Sequence, residues 1–151
     1  MPMNVNLSTY AELHCLSNFS FLQAASFPEE LVIQAAELGY VALAITDECS
    51  LSGIVRAHSQ AKISKIKLII GSEFRLQDGL RIVLLAVDRL SYGQLSHLIT
   101  VTRREAKKGE YYLDRELLLR HKPDRCLLLW LPDSSLVTQE VNRTPIKIRL
   151  T

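Results

Sequence analysis

Short apolar runs alternate with segments of helical periodicity along the first half of the chain. Residues 10–15, 41–46 and 67–71 form short apolar runs bounded by polar residues, which is typical of strands buried in a parallel sheet. Apolar residues recur at helical spacing over 28–38 and 51–64. A strand–helix–strand–helix–strand order is typical of α/β folds, in which helical crossovers join parallel strands. The chain is therefore predicted to have an α/β fold.

Capping and turn residues locate the remaining elements. Ser26 is predicted to cap the first helix, which has Pro28 in its first turn and Gly39 at its end, as helix boundaries commonly have. The Asp78-Gly79 pair predicts a hairpin between strands at 74–76 and 81–87. Helices are predicted at 91–108 and 114–120, and a last strand at 125–131. One sheet should bury Leu13, Ala44, Ile45, Leu68, Ile69, Leu84 and Leu129 in neighbouring strands.

Composition narrows the class of protein. The 151 residues, 48% of them hydrophobic and 23% charged, indicate one globular domain or a piece of one. A formal net charge of +2 is too small to indicate a nucleic-acid surface from bulk electrostatics. Neither a GxGxxG nor a GxxxxGK[ST] loop occurs, which excludes nucleotide binding through such loops.

Cysteine usage and hydropathy indicate a cellular compartment. The three cysteines are far apart in the sequence and form no CxxC pair, so neither a disulfide framework nor a zinc ribbon is predicted. The first residues lack the basic and apolar regions of a signal peptide, and no apolar run approaches the roughly 18 residues that span a bilayer. We expect a soluble, cytoplasmic protein with reduced thiols and no membrane partner.

Four polar side chains follow the predicted strands and are candidate metal ligands. His14 follows the first strand, Asp47 and Glu48 the second, and Glu73 the third. Because carboxyl ends of parallel strands meet at one edge of a sheet, one imidazole and three carboxylates could share a divalent cation that activates water. In the alternative interpretation, His14 is a structural residue and the two adjacent carboxylates cap the next helix.

Three segments resemble motifs of the PHP (polymerase and histidinol phosphatase) domain found at the amino terminus of bacterial C-family DNA polymerases. They are 10–22, 42–53 and 69–74, and the segment 83–86 with the helix after it is similar to the family's next strand and helix. The resemblance covers Tyr10 to Leu131. It implies a partial PHP-type distorted β/α barrel with mostly parallel strands.

Departures from the family motifs indicate a branch. The second histidine of the family's His-x-His motif is Leu16, and its Thr-Asp-His motif ends in Glu48. These forms are similar to those of the error-prone, translesion branch of the polymerases. The resemblance implies a degraded metal site with no catalytic residue and no cofactor, or at most weak binding of Zn²⁺ or Mn²⁺. His14, Asp47 and Glu73 remain at ligand positions, and Glu48 offers an oxygen in place of an imidazole.

The resemblance also divides the chain into regions and suggests a role. We expect an N-terminal extension at 1–9, a partial PHP domain at 10–131 and a poorly ordered divergent tail at 132–151, as in a truncated reading frame. In the full-length protein, this region would be a structural, non-catalytic part of an error-prone DNA polymerase acting in replication and damage tolerance. Its partners would be the rest of the polymerase and DNA, without direct nucleic-acid contact by this region. A PHP-type metal-dependent phosphoesterase and a stand-alone interaction domain are the alternatives.

Overall fold

The computed structural model describes residues 10–132. In chain order, the elements are β1 (Ala11–Glu12), α1 (Pro28–Glu37), β2 (Ala42–Ile45), α2 (Ile54–Ser64), β3 (Lys67–Arg75), β4 (Arg81–Ala86), α3 (Arg89–Arg104), α4 (Arg115–Arg120) and β5 (Leu127–Leu131). The expectations for the N-terminal extension and, apart from Pro132, for the tail lie outside the described residues.

The five strands form one sheet in which spatial order follows chain order. The pairings β1–β2 and β2–β3 are parallel, whereas β4 is antiparallel to both β3 and β5. Four strands therefore point in one direction, and only the hairpin strand β4 is reversed. The prediction of an α/β fold with mostly parallel strands is confirmed.

Helix termini show which sequence signals set the boundaries. Pro28 begins α1 as predicted, but Phe27 is the N-cap and its side chain makes no capping bond, so the predicted Ser26 cap is wrong. The Glu30 carboxylate instead accepts a hydrogen bond from the Phe27 N–H at 2.8 Å. In α3, Asp88 caps the helix by accepting from the Ser91 N–H at 2.8 Å, and the helix begins two residues earlier than predicted.

The helices and the sheet form two layers with two hydrophobic clusters between them. One cluster joins α1 and α2 to β2 through Val32, Ala35, Leu43, Ile45 and Ala57. The other joins α3 and α4 to the β3–β4 hairpin through Phe74, Ile82, Leu84, Leu95, Leu98 and Leu117. None of the described helices is long and apolar enough to cross a membrane.

The opposite face of the sheet is also apolar. Ala44, Val83 and Leu85 are buried there, and Ile69, Leu129 and Leu131 pack partly against them. Beside them lies a cavity of about 670 Å³ whose lining includes Leu13, Leu68 and Leu127. At the sheet edge, β5 exposes Leu127, Leu128 and Trp130 by 48%, 54% and 45%. An apolar edge strand of this kind is a surface for further pairing.

Most of the predicted sheet core is confirmed, with one error. Ala44, Ile45 and Leu84 are buried, and Leu68, Ile69 and Leu129 are partly buried in the same sheet. Leu13 is 38% exposed and follows the end of β1, so its predicted burial in a strand is wrong. The physical reason is that β1 is a two-residue strand at the edge of the sheet, paired only with β2 among the described strands.

Close approach of strands requires a glycine at one position. A Cβ on Gly71 would lie 2.6 Å from Leu85 Cδ2 and 2.8 Å from the backbone oxygen of Leu84. Distances this short are not tolerated between non-bonded carbon and backbone atoms. Gly71 therefore allows the middle of β3 to pack against β4, two residues before the candidate ligand Glu73.

Candidate functional site

Backbone hydrogen bonds bring the loop after β2 against the carboxyl-terminal half of β3. The Glu73 N–H donates to the backbone oxygen of Thr46 at 3.1 Å, and the Cys49 N–H donates to the backbone oxygen of Glu73 at 2.8 Å. The segment after β1 joins this edge because the Thr46 N–H donates to the Cys15 backbone oxygen at 2.8 Å. The three segments that carry the predicted site residues are therefore adjacent.

Glu73 is the buried centre of this edge, with a side chain only 1% exposed. Its Oε2 lies 2.7 Å from His14 Nε2. Its Oε1 accepts two hydrogen bonds from Arg81, from Nε at 2.9 Å and from Nη2 at 2.7 Å. Both oxygens of the carboxylate thus have partners inside the protein, and the guanidinium of Arg81 supplies the opposite charge.

Asp47 is buried and organises the loop that follows β1. Its Oδ1 accepts from the Ser17 N–H at 2.7 Å and from the Ser20 hydroxyl at 2.8 Å. Its Oδ2 accepts from the Ser17 hydroxyl at 2.7 Å. The carboxylate therefore does not cap α2, which is the alternative that the sequence left open, but holds a loop preceding α1.

Glu48 is directed toward a different group of side chains. Its Oε1 accepts from the Tyr111 hydroxyl at 2.6 Å, and its Oε2 accepts from the Gln23 amide. Burial, followed by the bond to Glu48, raises the pKa of Tyr111 well above its usual range. The structure thus joins the side chain of His14 directly to that of Glu73, while the side chains of Asp47 and Glu48 are hydrogen-bonded to other residues.

No cluster of three or more His, Cys, Asp or Glu side chains within residues 10–132 could hold a metal ion. Two cysteines, Cys15 and Cys49, lie next to His14 and Glu48 in the sequence, but neither thiol is activated as a nucleophile. Burial raises the pKa of Cys15 to about 11 and also raises that of Cys49. Because the thiolate is the nucleophilic form, a raised pKa disfavours attack by either thiol, and both side chains pack in the hydrophobic clusters.

Arg81 is a site residue that the sequence analysis missed. The β3–β4 register places Arg81 opposite Arg75 and Val83 opposite Glu73, so Arg81 reaches Glu73 diagonally across the hairpin on the same face. The Asp78-Gly79 turn was the available signal, because a hairpin turn fixes the register of its strands. Pairing the residues on either side of that turn would have placed Arg81 near Glu73.

Residues 12–135 match the family described as the PHP domain. The chain belongs to the PHP domain family. This match covers all four candidate ligands and Arg81, and its span agrees with the extent of the resemblance noted in the sequence.

Relatives of this PHP domain are much longer proteins. It is 61% identical over 128 residues to an error-prone DNA polymerase of Methylococcus capsulatus, covering 85% of this chain and 12% of that protein. It is 62% identical over 125 residues to an error-prone DNA polymerase of Aromatoleum aromaticum, covering 82% and 12%. A Pseudomonas aeruginosa protein of the same name is 56% identical over 130 residues. The chain thus spans about 12% of the length of these relatives.

Solved structures agree on the fold of this PHP domain. A proposed metal-dependent phosphoesterase from Bifidobacterium adolescentis superposes with a TM-score of 0.54 at 24% identity, over 64% of this chain and 34% of that one. An amidohydrolase from Chromobacterium violaceum, solved with bound sulfate and no metal, gives 0.52 at 26% identity, over 62% and 33%. The predicted partial PHP-type barrel is confirmed.

The Glu73 carboxylate of the PHP domain should make stability depend on pH. Burial alone would raise its pKa, but the hydrogen bonds from His14 and Arg81 outweigh burial and hold the pKa below its ordinary value of 4.5. A carboxyl with a lowered folded-state pKa stabilises the fold above its unfolded pKa, and this stabilisation is lost as pH falls through the lowered value. Chemical unfolding at a series of pH values should therefore show a loss of stability below about pH 4.5 that Glu73→Gln reduces. An unchanged acid profile in Glu73→Gln would contradict the assignment.

Proposed function

We propose that this chain is the amino-terminal PHP region of an error-prone DNA polymerase, in which it supports the polymerase fold. The support is its identity of 61% and 62% to two error-prone DNA polymerases. In this proposal, the rest of the polymerase is its partner. In this proposal, replication past damaged DNA in the cytoplasm is an activity of the whole polymerase, because this chain spans only about 12% of the length of these relatives.

The surroundings of Glu73 support a structural role without phosphoester hydrolysis. A metal at this position would need oxygen atoms that are free to coordinate it. Both oxygens of Glu73 instead bond to His14 and Arg81, and a metal ion would have to displace a guanidinium that already neutralises the carboxylate. Leu16 stands where the family has an imidazole and has no lone pair to donate. These residues do not fit a resident metal, and we interpret His14, Asp47, Glu48 and Glu73 as vestigial ligands.

The second candidate is a PHP-type metal-dependent phosphoesterase. The 2.7 Å contact between His14 and Glu73 favours it, because an imidazole and a carboxylate at the carboxyl ends of strands are common ligands of Zn²⁺. Against it stand the Arg81 guanidinium on Glu73 and the engagement of Asp47 by two serines. A stand-alone interaction domain is the third alternative.

Calorimetric titration of the 151-residue chain with Zn²⁺ and Mn²⁺ distinguishes these candidates. We expect no saturable binding at the site, and the same result for His14→Ala and for the control His58→Ala, which changes an exposed histidine of α2. Tight binding of two or more ions that His14→Ala abolishes and His58→Ala retains would contradict the structural role. Phosphatase activity with the same dependence on His14 would establish the phosphoesterase.

A further inference from the structure

A groove of about 470 Å³ lies between the loop after β2 and the carboxyl-terminal end of α3. It is lined by Cys49, Ser50, Leu51, Ser52, Ile99, Thr100, Arg103 and Arg104. Two guanidinium groups and three hydroxyls contribute to this lining, and none of these residues, all within the described part of the chain, is acidic. The groove shares no residue with the set His14, Asp47, Glu48 and Glu73.

Arg103 is fixed in place by two kinds of contact. Its Nε and Nη2 donate to the backbone oxygen of Cys49 at 3.2 and 3.0 Å. Its guanidinium carbon lies 6.0 Å from the centre of the Tyr111 ring, a distance at which a cation is attracted to the ring face. Because the guanidinium is planar and has five donors, these contacts orient it and leave N–H groups available to a ligand.

Positive charge is concentrated at this end of α3. Residues 103–108 contain Arg103, Arg104, Lys107 and Lys108 with one carboxylate, Glu105. The formal charge of this segment is +3, four cations minus one anion, compared with +2 for the whole chain. The dipole of α3 favours cations in its last turn, so helix stability alone could explain the arginines. It does not explain why hydroxyl groups of the β2–α2 loop line the same groove.

Two serines complete the polar side of the groove. The Ser50 hydroxyl donates to Ser52 Oγ at 3.0 Å, and it accepts from the Ser52 N–H at 3.1 Å. Because Ser52 Oγ is the acceptor in the first bond, its own proton can be donated to a ligand. Hydroxyl and guanidinium donors around one concave surface are a common arrangement for binding phosphate oxygens.

We propose that this groove binds a phosphoryl oxyanion through Arg103, Arg104 and Ser52. Two ligands carry such an oxyanion: the phosphodiester backbone of a single-stranded nucleic acid and free inorganic phosphate. The inference stands on the groove alone and does not depend on the proposed polymerase role. It differs from the expectation that this region makes no direct nucleic-acid contact, and a small net charge does not argue against it, because net charge does not report how charges are distributed.

Fluorescence anisotropy of a short labelled oligothymidylate with the 151-residue chain tests the proposal. The Arg104→Gln variant should weaken binding about five-fold and reduce the slope of log affinity against log salt by about 0.7, the value for one lost phosphate contact on a single strand. The matched control is Arg89→Gln, which removes the same charge from the opposite end of α3, roughly 22 Å away at 1.5 Å per residue. Arg89→Gln should leave affinity and slope unchanged.

Two further measurements complete the test. Ser52→Ala removes a hydroxyl without changing charge, and it should weaken binding about two-fold with the same salt slope, because the slope counts neutralised phosphates. Titration with inorganic phosphate, followed as a shift in Tm, identifies the source. A shift that is lost in Arg104→Gln, without oligonucleotide binding, would assign the groove to free phosphate. Absence of both signals in the unmodified chain, or equal losses in Arg104→Gln and Arg89→Gln, would overturn the proposal.

Discussion

Replacing Arg81 with alanine will lower the free energy of unfolding by about 3 kcal/mol, the lower end of the range for removing one partner of a buried ion pair. The lower end applies because the Arg81 side chain is 33% exposed, whereas that of Glu73 is 1% exposed. Without Arg81, the Glu73 carboxylate stays buried with His14 as its remaining side-chain partner. Urea unfolding of the two proteins under the same conditions measures the difference.

Two variants separate this effect from a general loss of an arginine. Arg115→Ala removes an arginine from an exposed pair with Asp78, and its effect should be much smaller because solvent screens such pairs. Adding Glu73→Gln to Arg81→Ala should restore part of the lost stability, because a neutral amide needs no counter-charge. An Arg81→Ala protein as stable as Arg115→Ala would show that the guanidinium does not stabilise Glu73.

Replacing Phe74 with alanine will lower the free energy of unfolding by about 4 kcal/mol, within the range measured for removing a buried aromatic ring. Phe74 is fully buried against Ile82, Leu95, Leu98 and Leu113 in the larger hydrophobic cluster. Its ring also contacts Tyr111 edge-on, with centroids 6.5 Å apart. The loss combines removed apolar contact with the cavity that remains where the ring was.

The control for Phe74→Ala is the replacement of a solvent-exposed apolar side chain by alanine. Leu119→Ala changes a residue that is 70% exposed, and its effect should lie within about 0.5 kcal/mol of zero. Phe74→Leu should fall between the two alanine variants, because it keeps part of the buried volume. If Phe74→Ala shifted the urea midpoint no more than Leu119→Ala, the packing of α3 and α4 on the hairpin would be wrong.

Local sequence signals were sufficient for most of the fold. Apolar runs predicted β2, β3 and β5, and the Asp78-Gly79 pair predicted the hairpin, because these features report burial and turn geometry directly. The predicted strands at 67–71 and 74–76 are one continuous strand, β3. The pattern of apolar residues in the sequence could not show this, because the polar residues Ser72 and Glu73 interrupt the apolar run. Both are buried in the structure, where hydrogen bonds satisfy their polar atoms.

Site chemistry was only partly predictable, for a different physical reason. The positions of His14, Asp47, Glu48 and Glu73 at strand ends follow from α/β topology. Their partners depend on long-range contacts, such as Arg81 across a hairpin and Tyr111, sixty-three positions beyond Glu48. Residue types alone also could not distinguish a carboxylate bound to serines from one able to coordinate a cation.

The agreement between spatial and chain order in the sheet has a consequence for synthesis on the ribosome. Each strand pairs with the one translated just before it, so folding can proceed as the nascent chain emerges, without waiting for distant segments. In a longer protein, β5 would be the last strand of the sheet until the next segment left the exit tunnel. Its exposed side chains, Leu127, Leu128 and Trp130, would be in contact with solvent during that time. This interval is when we expect chaperones to bind the nascent chain, and slower translation after Pro132 would lengthen it.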